Sequence, residues 1–233
     1  MPSDEVGSTA IRDAADLQAA AALISTQPMS SLPGSTFAYG ALSMQAAGAA
    51  AEIATGQSFS SLLNDRILSP LAMSHTGFVV PSANSLNPRV AGGLSSTAAD
   101  YGSFMDMLLN KGDARNGTHV LSAGAVTTML TRQATDGETQ QDYGIGVWLG
   151  QAGEADVLAG GARGFHSWID IEHKLVFVFA TDKTSIENVM PLTLQMHQAI
   201  LQAVAVPEPQ TYAMLLLGLG LIAGLAHRRL GPL

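Results

Sequence analysis

The chain has 233 residues, 47% of them hydrophobic and 13% charged, with a formal charge of −8 at pH 7 and no cysteine. That length and apolar content suffice for one large domain or two small ones with a sizeable core. The acidic balance argues against the basic face of a nucleic-acid binder, and the lack of cysteine removes disulfides, thiolate metal sites and a Cys nucleophile.

Residues 1–30 are Ala-rich, and Leu17, Ala21 and Ile24 fall at helical spacing, which predicts a partly helical start. Pro33-Gly34 marks a turn. Leu42, Ala46, Ala49 and Ile53 share one helix face, and Gly56 ends that helix. Ser58 can cap the next, with Leu62, Leu63 and Ile67 facing inward as far as Pro70. Residues 81–93 read as loop. Thr97-Ala98-Ala99-Asp100 resembles a capping box, with Asp in place of Glu, ahead of the apolar stripe Tyr101, Phe104, Met105 and Leu108. Ser122 opens a further helix carrying Val126, Met129 and Leu130.

After about residue 140 the period changes. Tyr143, Ile145, Val147 and Leu149 alternate and predict a strand. Residues 157–158, 165–171 and 175–181 read as further strands. The run 175–180, Leu-Val-Phe-Val-Phe-Ala, is apolar throughout and predicts a strand buried on both faces. Glu172-His173-Lys174 forms the hairpin turn before it. Ile186, Val189, Thr193, Met196, Ile200 and Val204 then line one face of a long amphipathic helix. Helices first, then an antiparallel sheet with a helix on it, define an α+β fold.

The tail, 206–233, has its own character. Val206-Pro207-Glu208-Pro209 precedes an uncharged apolar stretch at 212–226, followed by His227, Arg228 and Arg229. Fifteen residues are short for a stable span, and the Arg pair would stay on the cytoplasmic side. Pro207, Glu208 and Pro209, the apolar stretch and the terminal Arg228 and Arg229 together resemble the PEP-CTERM sorting signal. The resemblance implies export, a transient single-pass anchor formed by a C-terminal hydrophobic helix, recognition by an exosortase-type sorting protease, and removal of the tail. The N-terminus has neither a basic nor an apolar signal-peptide region, which creates the expectation that the natural start lies upstream.

Five stretches carry a second resemblance: Pro33-Gly34-Ser35-Thr36-Phe37-Ala38-Tyr39-Gly40; residues 67–78; Ala91-Gly92-Gly93-Leu94-Ser95-Ser96-Thr97-Ala98-Ala99-Asp100-Tyr101; Tyr143-Gly144-Ile145-Gly146; and Gly161-Ala162-Arg163-Gly164-Phe165 with Trp168-Ile169-Asp170. In order and spacing they are similar to the serine β-lactamase and penicillin-binding-protein superfamily, in its class C and esterase-like branch. The resemblance implies a partial α/β sandwich with a helical region, occupying 1–205, and acyl transfer with no cofactor on a small-molecule or peptide ester, amide or β-lactam-type bond. In that chemistry a Ser attacks a carbonyl, a Lys three residues on helps to deprotonate it, a Tyr shuttles the proton, and a Lys/His-Thr/Ser-Gly strand binds the substrate and supplies an oxyanion amide.

Carried onto this chain residue by residue, the catalytic Tyr falls on Tyr39, with Ala41 where an Asn is usual. The strand motif falls on Ala159-Gly160-Gly161, which retains only the last Gly, and Ala162 follows with its N–H toward an oxyanion. The three lysines, Lys111, Lys174 and Lys183, follow Leu108, Ile171 and Ala180 at the third position, so no Ser-x-x-Lys is present. A phenol ionises near pH 10 in water, and no lysine lies near Tyr39 in the sequence. Two readings result: an envelope serine hydrolase of which this chain is the C-terminal part, or a non-catalytic surface module that binds a glycan or peptide. On the first, a sandwich without its first strands leaves an open sheet edge and dissolves poorly. His166, Asp170, Glu172 and His173 lie close in sequence, but a strand separates His166 from Asp170 by about 13 Å, and no metal site is expected.

Overall fold

The computed structural model describes residues 9–29, 31–32, 34–79, 86–151, 155–161 and 163–204. The tail, with Pro207, Glu208, Pro209, Arg228 and Arg229, lies outside the described residues, as does Ala162. Contacts divide the chain into two compact units, Met1–Thr193 and Leu194–Leu233.

The first unit opens with helices α1 (Thr9–Arg12) and α2 (Leu17–Ser25), the latter capped by the Asp16 carboxylate, which accepts from Ala19 N. Helix α3 (Ala41–Thr55) ends at Gly56, whose φ of 68° places it in the left-handed region, with its amide returning to Glu52 O. Ile11, Ala20 and Leu42 bury a small core between these helices. Asn87 donates to Ile11 O and accepts from Gln45 of α3, so one buried amide ties α1, α3 and the following loop together. Gly48 permits the approach, since a Cβ there would stand 2.7 Å from Val90. Helix α4 (Phe59–Leu63), capped by Ser58, runs into a π-helical turn, Asn64–Leu68, in which Ser69 N reaches back to Asn64 O.

A two-stranded ribbon, β1 (Gly77–Phe78) with β2 (Leu94–Ser95), leads into α5 (Ala98–Leu109). Thr97 caps α5 by accepting from Asp100 N. The Asp100 carboxylate turns away to the His75 amide and the Thr76 hydroxyl, so it locks α5 to the preceding loop as well as serving its own helix. Met105, Met107 and Leu108 of α5 are buried almost completely. They form the main core with Leu68, Leu71 and Met73, with Val126 of α6 (Ala123–Met129), and with Val147, Val157 and Ile169 of the sheet region.

That sheet is antiparallel, six-stranded and ordered as in the sequence: β3 (Ala134–Thr135), β4 (Asp142–Tyr143), β5 (Trp148–Leu149), β6 (Val157–Gly160), β7 (His166–Asp170) and β8 (Leu175–Phe179). Helix α5 packs against β7 and β8. Helix α7 (Ile186–Val204) begins over the other face, where Ile186 meets Gly160 and Thr193 bonds His166.

The α+β order, the helix caps and the last three strands match the expectations from sequence. Three features differ. The alternating run at 143–149 is a hairpin: Gly144 donates to Val147 O, and Gly146, with φ 78°, turns the chain. Ile53 is 74% exposed, so the stripe of α3 ends before its last turn. Strand β8 is half-buried along its whole length, because it closes the sheet and pairs with β7 alone among the described strands.

Candidate active site

Tyr39 lies in extended backbone just ahead of α3, and is 52% exposed. Its ring packs edge-on against Tyr143 at 5.8 Å and tilts over Trp148 at 5.5 Å. Phe37 joins the same cluster, 5.1 Å from Tyr143 and 6.2 Å from Trp148. Tyr143 and Trp148 are cross-strand partners on β4 and β5, with rings 4.8 Å apart. Short strands joined by a tight Gly144–Gly146 turn thus hold two aromatic rings beneath Tyr39. Burial, and then the neighbouring Tyr39, push the Tyr143 hydroxyl up to about 12, so Tyr143 remains a neutral phenol at physiological pH.

Trp148 also pairs with Leu158 of β6. Gly160 lies two residues along the same face, and Gly161 one further, about 10 Å from Leu158 at strand rise. The Gly161 amide donates to Phe165 O, and the Gly164 amide donates to Gly161 O. A Cβ on Gly161 would stand 3.1 Å from Phe165, and one on Gly164 would stand 2.8 Å from Thr184. These glycines therefore close a tight hairpin. Tyr101 supports it from α5, packing edge-on against Phe165 at 4.7 Å. Burial raises the Tyr101 hydroxyl, and a hydrogen bond with Ser167 partly offsets that rise.

His166 and Asp170 serve different partners. His166 Nδ1 bonds the Thr193 hydroxyl at 2.5 Å, and Asp170 takes both the amide and the ring of His173. Among the described residues no group of three His, Asp or Glu is arranged to hold a metal ion.

The family model for Beta-lactamase matches residues 1–199. The chain belongs to the beta-lactamase family. A second model, the PEP-CTERM protein-sorting motif, matches residues 205–229, and that motif implies recognition by exosortase-type sorting machinery. No curated protein matches the chain. Among solved structures, a protein from Bacteroides dorei DSM 17855 assigned as a beta-lactamase is 27% identical, with a TM-score of 0.58, over 73% of this chain and 60% of its own. A penicillin-binding protein from Bacillus halodurans is 18% identical, with a TM-score of 0.65, over 82% of this chain and 66% of its own. EstCE1, a hydrolase with promiscuous acyltransferase activity, is 17% identical, with a TM-score of 0.64, over 77% of this chain and 60% of its own. The beta-lactamase-family chain thus spans about 60% of the length of two of these three proteins.

Of the expected site residues, Tyr39 stands exposed at the start of α3, and Gly161 ends β6 in a hairpin. The aromatic setting of Tyr39 escaped the sequence reading. Its signal was there in Phe37, Tyr143 and Trp148, but their proximity depends on the hairpin that alternation had concealed. Among the described residues no helix is long and apolar enough to cross a membrane, and the apolar stretch at 212–226 lies outside them.

Proposed function

We propose that this chain supplies the Tyr39 side of an acyl-transfer site in an exported serine hydrolase of the cell envelope. The substrate class is an ester, amide or β-lactam-type carbonyl compound. The observation that carries the reading is the exposed Tyr39 ring, presented at a helix start and backed by Tyr143 and Trp148 instead of being buried among them. In the reaction a seryl oxygen adds to the carbonyl carbon while the tyrosine hydroxyl relays the proton, its oxygen taking the seryl proton as its own hydrogen passes on. The leaving group takes the hydrogen that the phenol gives up as the carbon–heteroatom bond breaks. Water then hydrolyses the acyl-serine. Tyr143 stays protonated and packs against Tyr39, so the proton-carrying role falls to the exposed phenol. Ala162 is the proposed oxyanion donor, because the Gly161 amide is already engaged with Phe165 O. The loss of the Lys/His-Thr/Ser pair ahead of Gly161 makes a neutral ester a more natural substrate than a carboxylate-bearing β-lactam. The 212–226 stretch acts as a transient anchor until the sorting protease acts.

A second reading, a non-catalytic surface module that binds a glycan or peptide, is favoured by one observation: no serine in the sequence has a lysine three positions later. Expressing the chain with and without the codons preceding Met1 in frame, and assaying p-nitrophenyl ester and nitrocefin hydrolysis, separates the two. The hydrolase reading expects background rates from this chain alone. It expects turnover from the longer product, reduced by about 10²–10⁴-fold in Tyr39→Phe, as for loss of a general acid–base group. Turnover that survives Tyr39→Phe overturns the assigned role. A stop codon directly upstream of Met1, with no turnover, supports the binding module.

A further inference from the structure

Tyr39 sits outside the sheet, in extended backbone ahead of α3, so strand register does not set the direction of its ring. The ring rests instead on two side chains that are themselves fixed. Trp148 pairs with Tyr143 of β4 on one side and with Leu158 of β6 on the other, and the same row continues through Trp168 and Phe177. Directly opposed residues of neighbouring strands share a face, so these five side chains form one line across the sheet. At its far end Trp168 and Phe177 stack at 4.9 Å, with Trp168 only 1% exposed. The turn at its near end is anchored as well. Ile145 donates to Met129 O at 2.9 Å, a Cβ on Gly144 would collide with that same oxygen, and Val147 is buried.

We propose that Trp148 is a positioning residue, which sets the Tyr39 phenol relative to the strand end that carries the oxyanion donor. This role rests on the acyl-transfer reading of Tyr39 and Ala162. The Trp148 indole is tilted by 34° to the Tyr39 ring at 5.5 Å, whereas Tyr143 meets Tyr39 edge-on at 78°. The more nearly parallel ring opposes more of the Tyr39 face, so it restricts the swing of the phenol more than an edge does. Phe37, two residues before Tyr39, meets the same indole edge-on at 6.2 Å. The backbone of Trp148 pairs with Leu158, and β6 runs from there to Gly160 and on to Gly161, the residue before Ala162. One residue thus fixes the phenol by a ring contact and the strand end by a ladder contact. Alignment of this kind is steep in distance, since a misplacement of about 1 Å costs about 10²-fold in rate. Removing the indole leaves the Tyr39 hydroxyl chemically intact but unaimed.

Two measurements test this role. The chain has four tyrosines, so labelling the full chain with 3-fluorotyrosine, in mild detergent, gives four fluorine signals, and Tyr39→Phe assigns that of Tyr39. In the parent this signal is expected away from the position of free fluorotyrosine, displaced by the neighbouring rings. Trp148→Ala is expected to return it toward the free position and to leave the Tyr101 signal unmoved, which checks the fold. Trp148→Phe keeps an aromatic face and is expected to hold most of the displacement. In the longer product that includes the codons preceding Met1, Trp148→Ala is expected to lower kcat for a p-nitrophenyl ester by about 10²-fold with KM nearly unchanged, because alignment is lost and binding is not. Trp148→Phe is expected to recover most of that rate. In a Tyr39→Phe background Trp148→Ala is expected to cost nothing further, a non-additivity that a general loss of stability does not produce. A Tyr39 signal that Trp148→Ala leaves in place, or additive losses in the double variant, would overturn the positioning role and leave the acyl-transfer reading standing. A longer product with no turnover, or with turnover that survives Tyr39→Phe, would overturn the acyl-transfer reading and this role with it.

Discussion

Two neighbouring strands of the sheet invert the usual relation between composition and burial. Strand β7, His-Ser-Trp-Ile-Asp, carries three polar residues and is fully buried at all five positions. Strand β8, Leu-Val-Phe-Val-Phe, carries none and is half-exposed at all five. Position in the sheet explains the inversion. Strand β7 is flanked by β6 and β8, with α5 on one face and the start of α7 on the other, whereas β8 has β7 as its one neighbour among the described strands. The polar groups of β7 tolerate burial because each finds a partner: His166 bonds Thr193, Ser167 reaches Ala159 O, and Asp170 holds His173. The apolar groups of β8 have no such requirement and stay where the sheet ends.

The sharpest way to break that contrast is to remove the ring that joins the two strands from the buried side. Trp168 is 1% exposed and stacks on Phe177 at 4.9 Å with an interplanar angle of 12°. Trp168→Ala is expected to cost about 3–5 kcal/mol, the range for emptying a large aromatic from a packed core. Phe177→Ala, on the half-exposed partner, is expected to cost clearly less. Urea titrations of the two variants measure the difference, and equal losses would mean that β8 is as well covered as β7.

A smaller effect is expected from the polar support of β7. Thr193→Val keeps the side-chain volume but removes the hydroxyl that bonds His166 Nδ1 and donates to Met190 O. The expected cost is about 1–3 kcal/mol, that of a buried polar group losing its partner. Thr193→Ser retains the hydroxyl and is expected to recover most of it. If Thr193→Val were neutral, the buried polar groups of β7 would owe nothing to α7.

Asp100 offers the same logic at the edge of the core. Burial by itself raises its carboxyl. Hydrogen bonds from Thr76, the His75 amide and Thr97 outweigh that, aided by the charge of His75, and the net position is below the ordinary 3.8. A carboxylate lowered on folding contributes stability that is present above its unfolded value and lost as pH falls through the folded one. Asp100→Asn is therefore expected to melt lower than the parent near pH 7. The gap should close as pH falls below about 4, the range of an unperturbed Asp. A gap independent of pH would assign the effect to shape alone.

The parts of the fold legible in the sequence were those fixed by local chemistry. Asp16, Ser58, Thr97 and Ser122 each accept from the amide three residues on, and three of these caps were named from residue type alone. Gly56 ended α3 because a left-handed residue was needed there. What stayed hidden depended on distant parts of the chain. Alternation at 143–149 spelled one strand, because Gly146 bends the backbone without disturbing the period-two pattern of Tyr143, Val147 and Leu149. Tyr39 could be placed by family resemblance, but its neighbours Tyr143 and Trp148 lie more than a hundred positions away. Their approach rests on that same hairpin. Strand β8 departs from the expected two-sided burial because apolarity reports what could be buried, while burial depends on what lies alongside.

The smallest expected effect tests that last point most directly. Ile169→Thr in β7 and Val178→Thr in β8 both introduce one hydroxyl into a strand that faces α5. At Ile169, which is 0% exposed and packs in the main core, the hydroxyl finds no water. The substitution also removes a methylene, so a loss of about 2–4 kcal/mol is expected from combined desolvation and cavity costs. At Val178 the hydroxyl opens onto the cavity beside α5 and can be hydrated. Thr is as well suited to a strand as Val, so a change within about 0.5 kcal/mol is expected, as for a surface position. Urea titrations of the two variants measure the difference, and a Val178→Thr loss as large as that of Ile169→Thr would show that β8 is as well buried as β7.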